Sequence, residues 1–278
     1  MSAEIPSYAF NPLRRCLDSI FLANRLLHLS VSGLQIISKR PQMVQRVIDL
    51  TVAAKQEVTS ELKSDLQKAV EDSIFTTNER DNDFPYLHAY TLVGQWAALE
   101  AGIEDMLVGL LVNEPKVLDG DAFAKIKLPL AKYELLDKEE RMRFLLNDVQ
   151  RTQSSGTAQG ANTFENVLEV FELSGPVEED IRTNLWEMNH MRNVIVHRDS
   201  RADLRLIQAC PALKLKVGDR LFVTHDNYAY HANAVIDYIR IIICRLGKRY
   251  GAAPPPWALP DGLSQVPIGP FEGRQENS

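Results

Sequence analysis

Residues 92–111, LVGQWAALEAGIEDMLVGLL, decide the predicted fold class, because their large apolar side chains recur at helical spacing. These side chains step by four, three, four, four and three residues, and they are Leu92, Trp96, Leu99, Ile103, Leu107 and Leu110. That period places them on one face of a helix. The same stretch contains Glu100, Glu104 and Asp105, which a bilayer would penalise by several kcal/mol. We therefore predict a core helix of a soluble protein, from Phe84 to Asn113, and no membrane span.

Helical periodicity continues on both sides of this stretch. Asn11-Pro12 is typical of a helix start, and a second apolar stripe begins after Pro41. A helix from Pro176 to Arg192 begins with three acidic residues, which suit the positive end of the helix dipole. The β-branched run Val194-Ile195-Val196 then weakens helix propensity, so we expect that helix to end or distort there. A last helix is predicted from Asp226 to Gly247.

Two segments depart from the helical pattern. Residues 213–224, LKLKVGDRLFVT, alternate around Gly218-Asp219 and predict a small β-hairpin. Residues 252–278 hold six of the 14 prolines and predict a disordered or extended tail. The predicted fold is therefore a mainly α-helical bundle with a β-hairpin insertion. We divide it into an N-terminal helical extension packed on the bundle (1–83), the bundle itself (84–250) and the Pro-rich tail (251–278).

Charge and cysteine content limit the classes of function. The 278 residues carry 31 Lys and Arg against 37 Asp and Glu, a net charge of −6. This balance argues against a surface built mainly to coat nucleic-acid phosphates, although it allows a small basic cleft. The three cysteines, Cys16, Cys210 and Cys244, form no Cys-x-x-Cys pair. Because the first 15 residues contain Glu4 and no apolar run, we expect no secretory signal. We expect a cytoplasmic protein in a reducing compartment, with no metal, cofactor or membrane partner.

Residues 189–197, NHMRNVIVH, carry the side chains that metal-independent RNA cleavage needs. A histidine near neutral pKa can move the 2′-hydroxyl proton, and a guanidinium can hold the phosphate in two places. Five residues of ideal helix turn by about 140°, so Arg192 and His197 converge only if the helix ends between them or a second protomer completes the site. The spacing alone is weak, because Arg220 and His225 repeat it in the predicted hairpin, where residues five apart point to opposite faces.

Residues 162–198 resemble the motif helix of the HEPN superfamily, in which an arginine and a polar residue are followed after a few positions by histidine. Residues 92–111 are similar to the long core helix of that family, and the predicted hairpin and last helix have counterparts in many of its members. The resemblance covers roughly Phe84 to Gly247. It implies a helical bundle that dimerises, bringing two motifs to one cleft, and often a metal-independent endoribonuclease of toxin–antitoxin or other defence systems.

The resemblance also implies roles for particular residues. Arg192 and His197 correspond to the catalytic pair, Asn193 to the polar residue beside the arginine, and either Glu100 or Glu104 to the acid of the core helix. The implied partners are RNA, a second copy of the chain, and an antitoxin or another defence-system protein.

A basic surface is predicted directly after the motif. Arg198, Arg201 and Arg205 follow it, interrupted by Asp199 and Asp203. These arginines predict a basic lip that contacts RNA phosphates, and a solvated face of mixed charge is the alternative.

Two other classes of function remain open. In one, the same motif binds RNA, a nucleotide or a protein without cutting, and the acidic net charge favours this interaction module. In the other, the chain is a plain scaffold, His197 interacts with a helix dipole and Arg192 pairs with Glu187 or an acid of the core helix. The intact Arg–Asn–His set favours the enzyme, because a binding module has no need of the histidine.

Overall fold

The computed structural model describes residues 3–127, 133–153 and 160–258, and in these residues the protein is mainly α-helical, as predicted. The helices are α1 (Ser7–Ile37), α2 (Arg40–Ala53), α3 (Ser60–Asp81), α4 (Pro85–Asn113), α5 (Asp121–Ala124), α6 (Lys138–Gln153), α7 (Ala161–Val170), α8 (Glu179–His197), α9 (Leu204–Ala209) and α10 (His225–Tyr250). Short 3-10 helices cover Pro115–Asp119, Pro211–Leu213 and Pro256–Ala258. The β-structure in the described ranges consists of two isolated bridges.

The described residues form two compact units. Unit 1 comprises Met1–Phe21, Ala97–Trp186 and Asn233–Ser278, and unit 2 comprises Leu22–Trp96 and Glu187–Ala232. Helices α1, α4, α8 and α10 each contribute residues to both units.

Close packing of α1 on α4 is a main feature of unit 1. Gly102 and Gly109 of α4 face Cys16 and the backbone of Tyr8, and a Cβ atom at either glycine would overlap with those atoms. The two helices therefore approach closely only because these positions lack a side chain. Leu13, on the same part of α1, is completely buried.

Ion pairs on α10 also stabilise unit 1. Arg245 donates to the Glu165 carboxylate over 2.8 Å, and the Tyr238 hydroxyl donates to the same carboxylate over 2.6 Å. One turn further on, Arg249 donates to Glu114 over 2.7 Å. These charged groups are mostly buried and paired, so removing one partner would leave an uncompensated charge.

A buried polar network lies at the centre of unit 2. The Gln95 side-chain amide donates to the Asn24 side-chain oxygen over 2.8 Å, and it lies 2.5 Å from the Tyr228 hydroxyl. The Tyr228 hydroxyl also donates to Asn24. This network joins residues of α1, α4 and α10, and its hydrogen bonds offset the cost of burying the polar groups.

The predicted β-hairpin at residues 213–224 is wrong. Residues 213–224 contain no β-strand, and backbone groups of Gly218, Asp219 and Leu221 bond to residues 200–202 instead. The Gly218 N–H donates to the Ala202 carbonyl over 2.9 Å, and the Ala202 N–H donates to the Asp219 carbonyl over 2.8 Å. Because residues 200–202 occupy the turn in this way, no ladder forms between the arms.

The first part of the predicted tail is ordered in unit 1. Ala252 forms an isolated parallel bridge with Ala3, and Ala258 is buried. The Trp257 ring lies 6.3 Å from the Phe10 ring, measured between centroids. Residues 251–258 therefore pack against residues of unit 1, whereas residues 259–278, most of the predicted disordered or extended tail, lie outside the described part of the chain.

One stretch among the described residues, Ser7–Ala53, is long and apolar enough to cross a membrane by length and composition. Only 11% of its most apolar window is buried within the structure. A signal sequence passes the same test, and this stretch lies near the N-terminus. The large exposed apolar surface thus belongs to α1 and α2 and not to the buried residues 92–111 that the sequence had singled out.

Candidate functional site

Helix α8 continues through the whole motif and ends at His197. The prediction that it ends or distorts after Arg192 is therefore wrong. Val194 and Ile195 are only 2% and 8% exposed, so their burial in unit 2 outweighs the modest helix-weakening effect of β-branched side chains. The helix consequently fixes the directions in which Arg192 and His197 leave the backbone.

Three polar side chains of the motif, those of Arg192, Asn193 and His197, lie on one accessible arc of α8, whereas His190 is buried. Arg192 and Asn193 are partly exposed, and Val196 and His197 are exposed. On a regular helix, this arc spans about 140°, with Arg192 at one edge, His197 at the other and Asn193 between them. The Arg192 guanidinium donates to the Asn193 side-chain oxygen over 3.1 Å.

His197 stands apart from the other histidines of α8 and α10 in its surroundings. Its ring has no hydrogen bond or ion pair with any residue that the structure describes. His190, two turns earlier on the same helix, is buried, and this burial lowers its pKa from the usual value of 6.5. Asp203 and Arg205 act on that pKa in opposite directions. Of these two histidines of α8, His197 is thus the one open to a substrate.

The chain turns sharply after His197. Asp199 and Ser200 have positive φ angles of 50° and 58°, which non-glycine residues adopt infrequently. The turn leads directly into α9, whose first turn is capped by Asp203: its carboxylate accepts the Leu206 N–H over 2.9 Å. The segment after the motif is therefore held in a defined path.

The arginines of the predicted basic lip are exposed, and two of them already have partners within the chain. Arg198, Arg201 and Arg205 are all exposed to solvent. Arg198 forms an ion pair with Asp203 over 3.2 Å, and Arg201 donates to the Gly218 carbonyl over 3.2 Å. Exposed ion pairs of this kind contribute little energy, so the guanidinium groups can exchange their partners for phosphate.

The two predicted acids lie in unit 1. Glu104 accepts a hydrogen bond from Arg143 of α6 over 2.6 Å, and Arg143 also donates to Asp105 over 2.8 Å. Glu100 is exposed on α4. The structure thus gives Glu104 an ionic partner within its own unit, and the sequence pattern carried no signal for this pairing with Arg143.

The second arginine–histidine pair has a different local structure. Arg220 stacks over the Tyr86 ring at 4.9 Å and lies 3.9 Å from the Asp199 carboxylate. His225 is the first residue of α10, and its ring contacts His88 with centroids 5.5 Å apart. The two residues therefore share no helix face. Arg220 contacts Tyr86 and Asp199, and His225 contacts His88.

No match was found. Protein-family models, curated proteins and solved structures all yield no match to the chain. The resemblance to the HEPN superfamily therefore stays a prediction that rests on the residues quoted above.

The α8 arc can perform phosphate chemistry with its own side chains. Arg192 supplies a fixed positive charge with several donors, and Asn193 holds one of its nitrogen atoms. His197 supplies an imidazole that can act as a general acid or base. In the described part of the chain, no group of three or more His, Cys, Asp and Glu side chains is arranged to hold a metal ion.

Proposed function

We propose that the protein is a metal-independent endoribonuclease of HEPN type that acts in the cytoplasm as part of a toxin or defence system. The observation that carries this proposal is the accessible arc of α8, on which Arg192, Asn193 and His197 lie together. The buried residues Val194 and Ile195 hold that arc in place from behind.

The proposed reaction uses the 2′-hydroxyl of the RNA as nucleophile. His197 takes the proton from this hydroxyl, whose oxygen attacks the adjacent phosphorus, and the bond from phosphorus to the 5′-oxygen breaks. The leaving oxygen receives a proton from an imidazolium, and the products are a 2′,3′-cyclic phosphate and a 5′-hydroxyl. Arg192 stabilises the negative charge that builds on the phosphate, because its planar fork can donate to two oxygens.

A second copy of the chain is part of the proposal. Because α8 continues to His197, Arg192 and His197 of one copy diverge by about 140°. A two-fold axis beside α8 would bring Arg192 of one copy toward His197 of the other. Val196 lies between them on the arc and is 48% exposed, which suits a place at such an interface.

The second candidate function is an interaction module that binds RNA, a nucleotide or a protein through the same arc without cutting. The net charge of −6 and the divergence of Arg192 and His197 favour it over the enzyme.

The test is cleavage of single-stranded RNA by the purified full chain in the presence of EDTA. His197→Ala should slow cleavage about 10²–10⁴-fold, which is typical of losing a general acid or base, and Arg192→Ala should have a similar effect. His225→Ala is the matched control, since it repeats the spacing outside α8, and it should cleave like the unaltered protein. If the protein cuts no RNA with or without added metal, yet a partner binds through Arg192, the interaction module is correct.

A further inference from the structure

Unit 2 exposes a row of large apolar side chains along α1 and α2. We call this row the exposed stripe, and its members are Leu22, Leu26, Leu29, Ile36, Met43, Val47 and Leu50. Each is between 50% and 63% exposed. Single exposed leucines are ordinary on protein surfaces, whereas seven in one row indicate an interaction site.

The exposed stripe follows a heptad repeat. Its members are separated by alternating steps of four and three residues, with Gly33 and Arg40 occupying the two positions between them. A 3.5-residue repeat sustained over four heptads is the pattern of a coiled coil. The pattern passes from α1 into α2 across a two-residue turn at Ser38 and Lys39, in which Lys39 keeps right-handed backbone angles (φ −97°, ψ −5°).

The stripe lies opposite the face that packs into unit 2. Asn24 and Leu27 face inward, where Asn24 joins the buried polar network and Leu27 is 8% exposed. Leu22 precedes Asn24 by two residues, a rotation of about 200° on a helix. Helix α1 therefore has one face for its own unit and a second apolar face that no described residue covers.

Helix α3 contacts α2 at Arg40, one of the two positions in the heptad core that lack a large apolar side chain. Arg40 pairs with Asp65 over 3.1 Å and with Asp72 over 3.5 Å, and the Ser73 hydroxyl donates to the Ser38 carbonyl over 2.9 Å. Arg40, the one charged residue in the heptad core positions, is thus neutralised by its own chain.

The area of the stripe is suited to a stable interface. At roughly 100 Å² for each of its seven side chains, the stripe offers about 700 Å² per copy, which approaches the ~800 Å² that each partner contributes to a standard interface. A lipid surface is less suited, because an interfacial helix buries a wide apolar face and this stripe is a narrow seam.

The charges beside the stripe favour a second copy of this chain in parallel orientation. On one flank lie the cations Arg25, Lys39 and Arg46, and on the other the heptad supplies only uncharged residues. The uncharged flank consists of Ala23, Ser30, Ile37, Val44 and Thr51. In a parallel pair each flank faces the opposite flank of the partner, so no like charges meet, whereas an antiparallel pair would oppose Arg25 and Arg46.

We propose that the exposed stripe is a coiled-coil seam that pairs in parallel with the same stripe of a second copy. This seam lies on α1 and α2, apart from the α8 arc, and the argument for it does not depend on ribonuclease activity.

The first test is the mass of the full chain by light scattering at micromolar concentration. Breaking the seam should halve the mass of the assembly, so the double variant Leu26→Glu/Leu29→Glu should have half the mass of the unaltered protein. Gln35→Glu adds a charge at an exposed position of the same helix outside the stripe and should leave that mass unchanged. An unaltered protein with the single-chain mass of 31.4 kDa, or a double variant with the mass of the unaltered protein, would overturn the proposal.

A variant that should dimerise more tightly tests the seam even if the charged variants fail to fold. A Cβ at Gly33 or at Gly94 would meet no atom within 4 Å, so both positions accept a larger residue. Gly33→Leu fills a core heptad position and should tighten the dimer about tenfold or more, by adding buried apolar surface. Gly94→Leu makes the same change on α4, outside the stripe, and should leave association unchanged. Equal effects of the two changes would contradict the seam.

Disulfide formation between two copies tests whether the two stripes pair in parallel. Leu29→Cys should form a disulfide with its counterpart under mild oxidation, because identical core positions meet in a parallel pair, while Gln35→Cys should not.

If the unaltered protein is monomeric and sediments with vesicles of phosphatidylcholine and phosphatidylserine, and Leu26→Glu abolishes this sedimentation, the stripe is a lipid-binding surface and the proposal fails. A dimer that needs the stripe but cuts no RNA would overturn the ribonuclease proposal alone.

Discussion

Two parts of the chain contain an arginine followed five residues later by a histidine, and the structure treats them differently. Arg192 and His197 lie on one accessible arc of α8. Arg220 precedes α10, stacks on Tyr86 and faces Asp199, while His225 begins α10 against His88. The exposure of the two pairs is alike, since both arginines are partly exposed and both histidines are exposed. Identical spacing therefore gives two positions on one helical arc in one place, and in the other two side chains that contact aromatic rings. Local structure, and not spacing, distinguishes them.

The comparison also separates a functional role from a structural one. Side chains that serve a substrate should be dispensable for folding, whereas those engaged by neighbours should matter for stability.

The largest expected effect is on RNA cleavage when each arginine is changed to lysine. Arg192→Lys should lower the rate at least about tenfold and still exceed Arg192→Ala, because a point charge replaces only part of a two-pronged contact. Arg220→Lys should cleave at the unaltered rate. The rates are measured on the same RNA under single-turnover conditions, and equal losses at both positions would remove the distinction between the pairs.

A smaller effect is expected on the free energy of unfolding. Arg220→Ala loses the contact with Tyr86 and the ion pair with Asp199 and should cost about 1 kcal/mol. His197→Ala removes an exposed side chain and should change stability by less than about 0.5 kcal/mol. Urea denaturation measures both. A larger cost for His197→Ala than for Arg220→Ala would assign His197 a structural role.

The smallest effect concerns the pH dependence of stability beside His225. Burial lowers the pKa of His88 below its usual 6.5, although hydrogen bonds to the Asp83 and Phe84 carbonyls oppose this. The folded state then binds fewer protons than the unfolded state, so this contribution is present above pH 6.5 and is lost as pH falls through the lowered pKa. In urea, His88→Gln should reduce the drop in midpoint between neutral and mildly acidic pH. An unchanged drop would show that His88 is not responsible.

Much of the helical architecture could be predicted from periodicity. The core helix predicted from Phe84 to Asn113 is observed at Pro85–Asn113, and the last helix predicted from Asp226 to Gly247 is observed at His225–Tyr250. Long stripes of buried apolar side chains determine these helices, and such stripes are directly visible in a sequence.

The two errors have a common physical cause. Helix α8 passes through Val194 and Ile195 because both are buried, and residues 213–224 form no hairpin because Ala202 takes the backbone groups of Gly218 and Asp219. Both outcomes depend on contacts with residues distant in sequence, which override local preference. Periodicity also could not tell that one apolar face of α1 is left uncovered, since it shows that a face is apolar but not what covers it.

For the candidate site, the sequence supplied the residue types and the structure supplied their accessibility. Arg192, Asn193 and His197 were predicted together and are found on one arc, where Asn193 accepts from Arg192. Glu104 was predicted to correspond to the acid of the core helix, and in the structure its carboxylate is paired with Arg143. That pair joins two helices whose contact no local pattern reveals.

The most direct test of the central claim is the chemistry of the ends that the full chain leaves on RNA. In EDTA, we expect fragments with 2′,3′-cyclic phosphate and 5′-hydroxyl ends, because the attacking oxygen belongs to the RNA. These fragments should be absent with His197→Ala and with DNA of the same sequence. Fragments with 3′-hydroxyl and 5′-phosphate ends, or cleavage that EDTA abolishes, would contradict attack by the 2′-hydroxyl and with it the role proposed for His197.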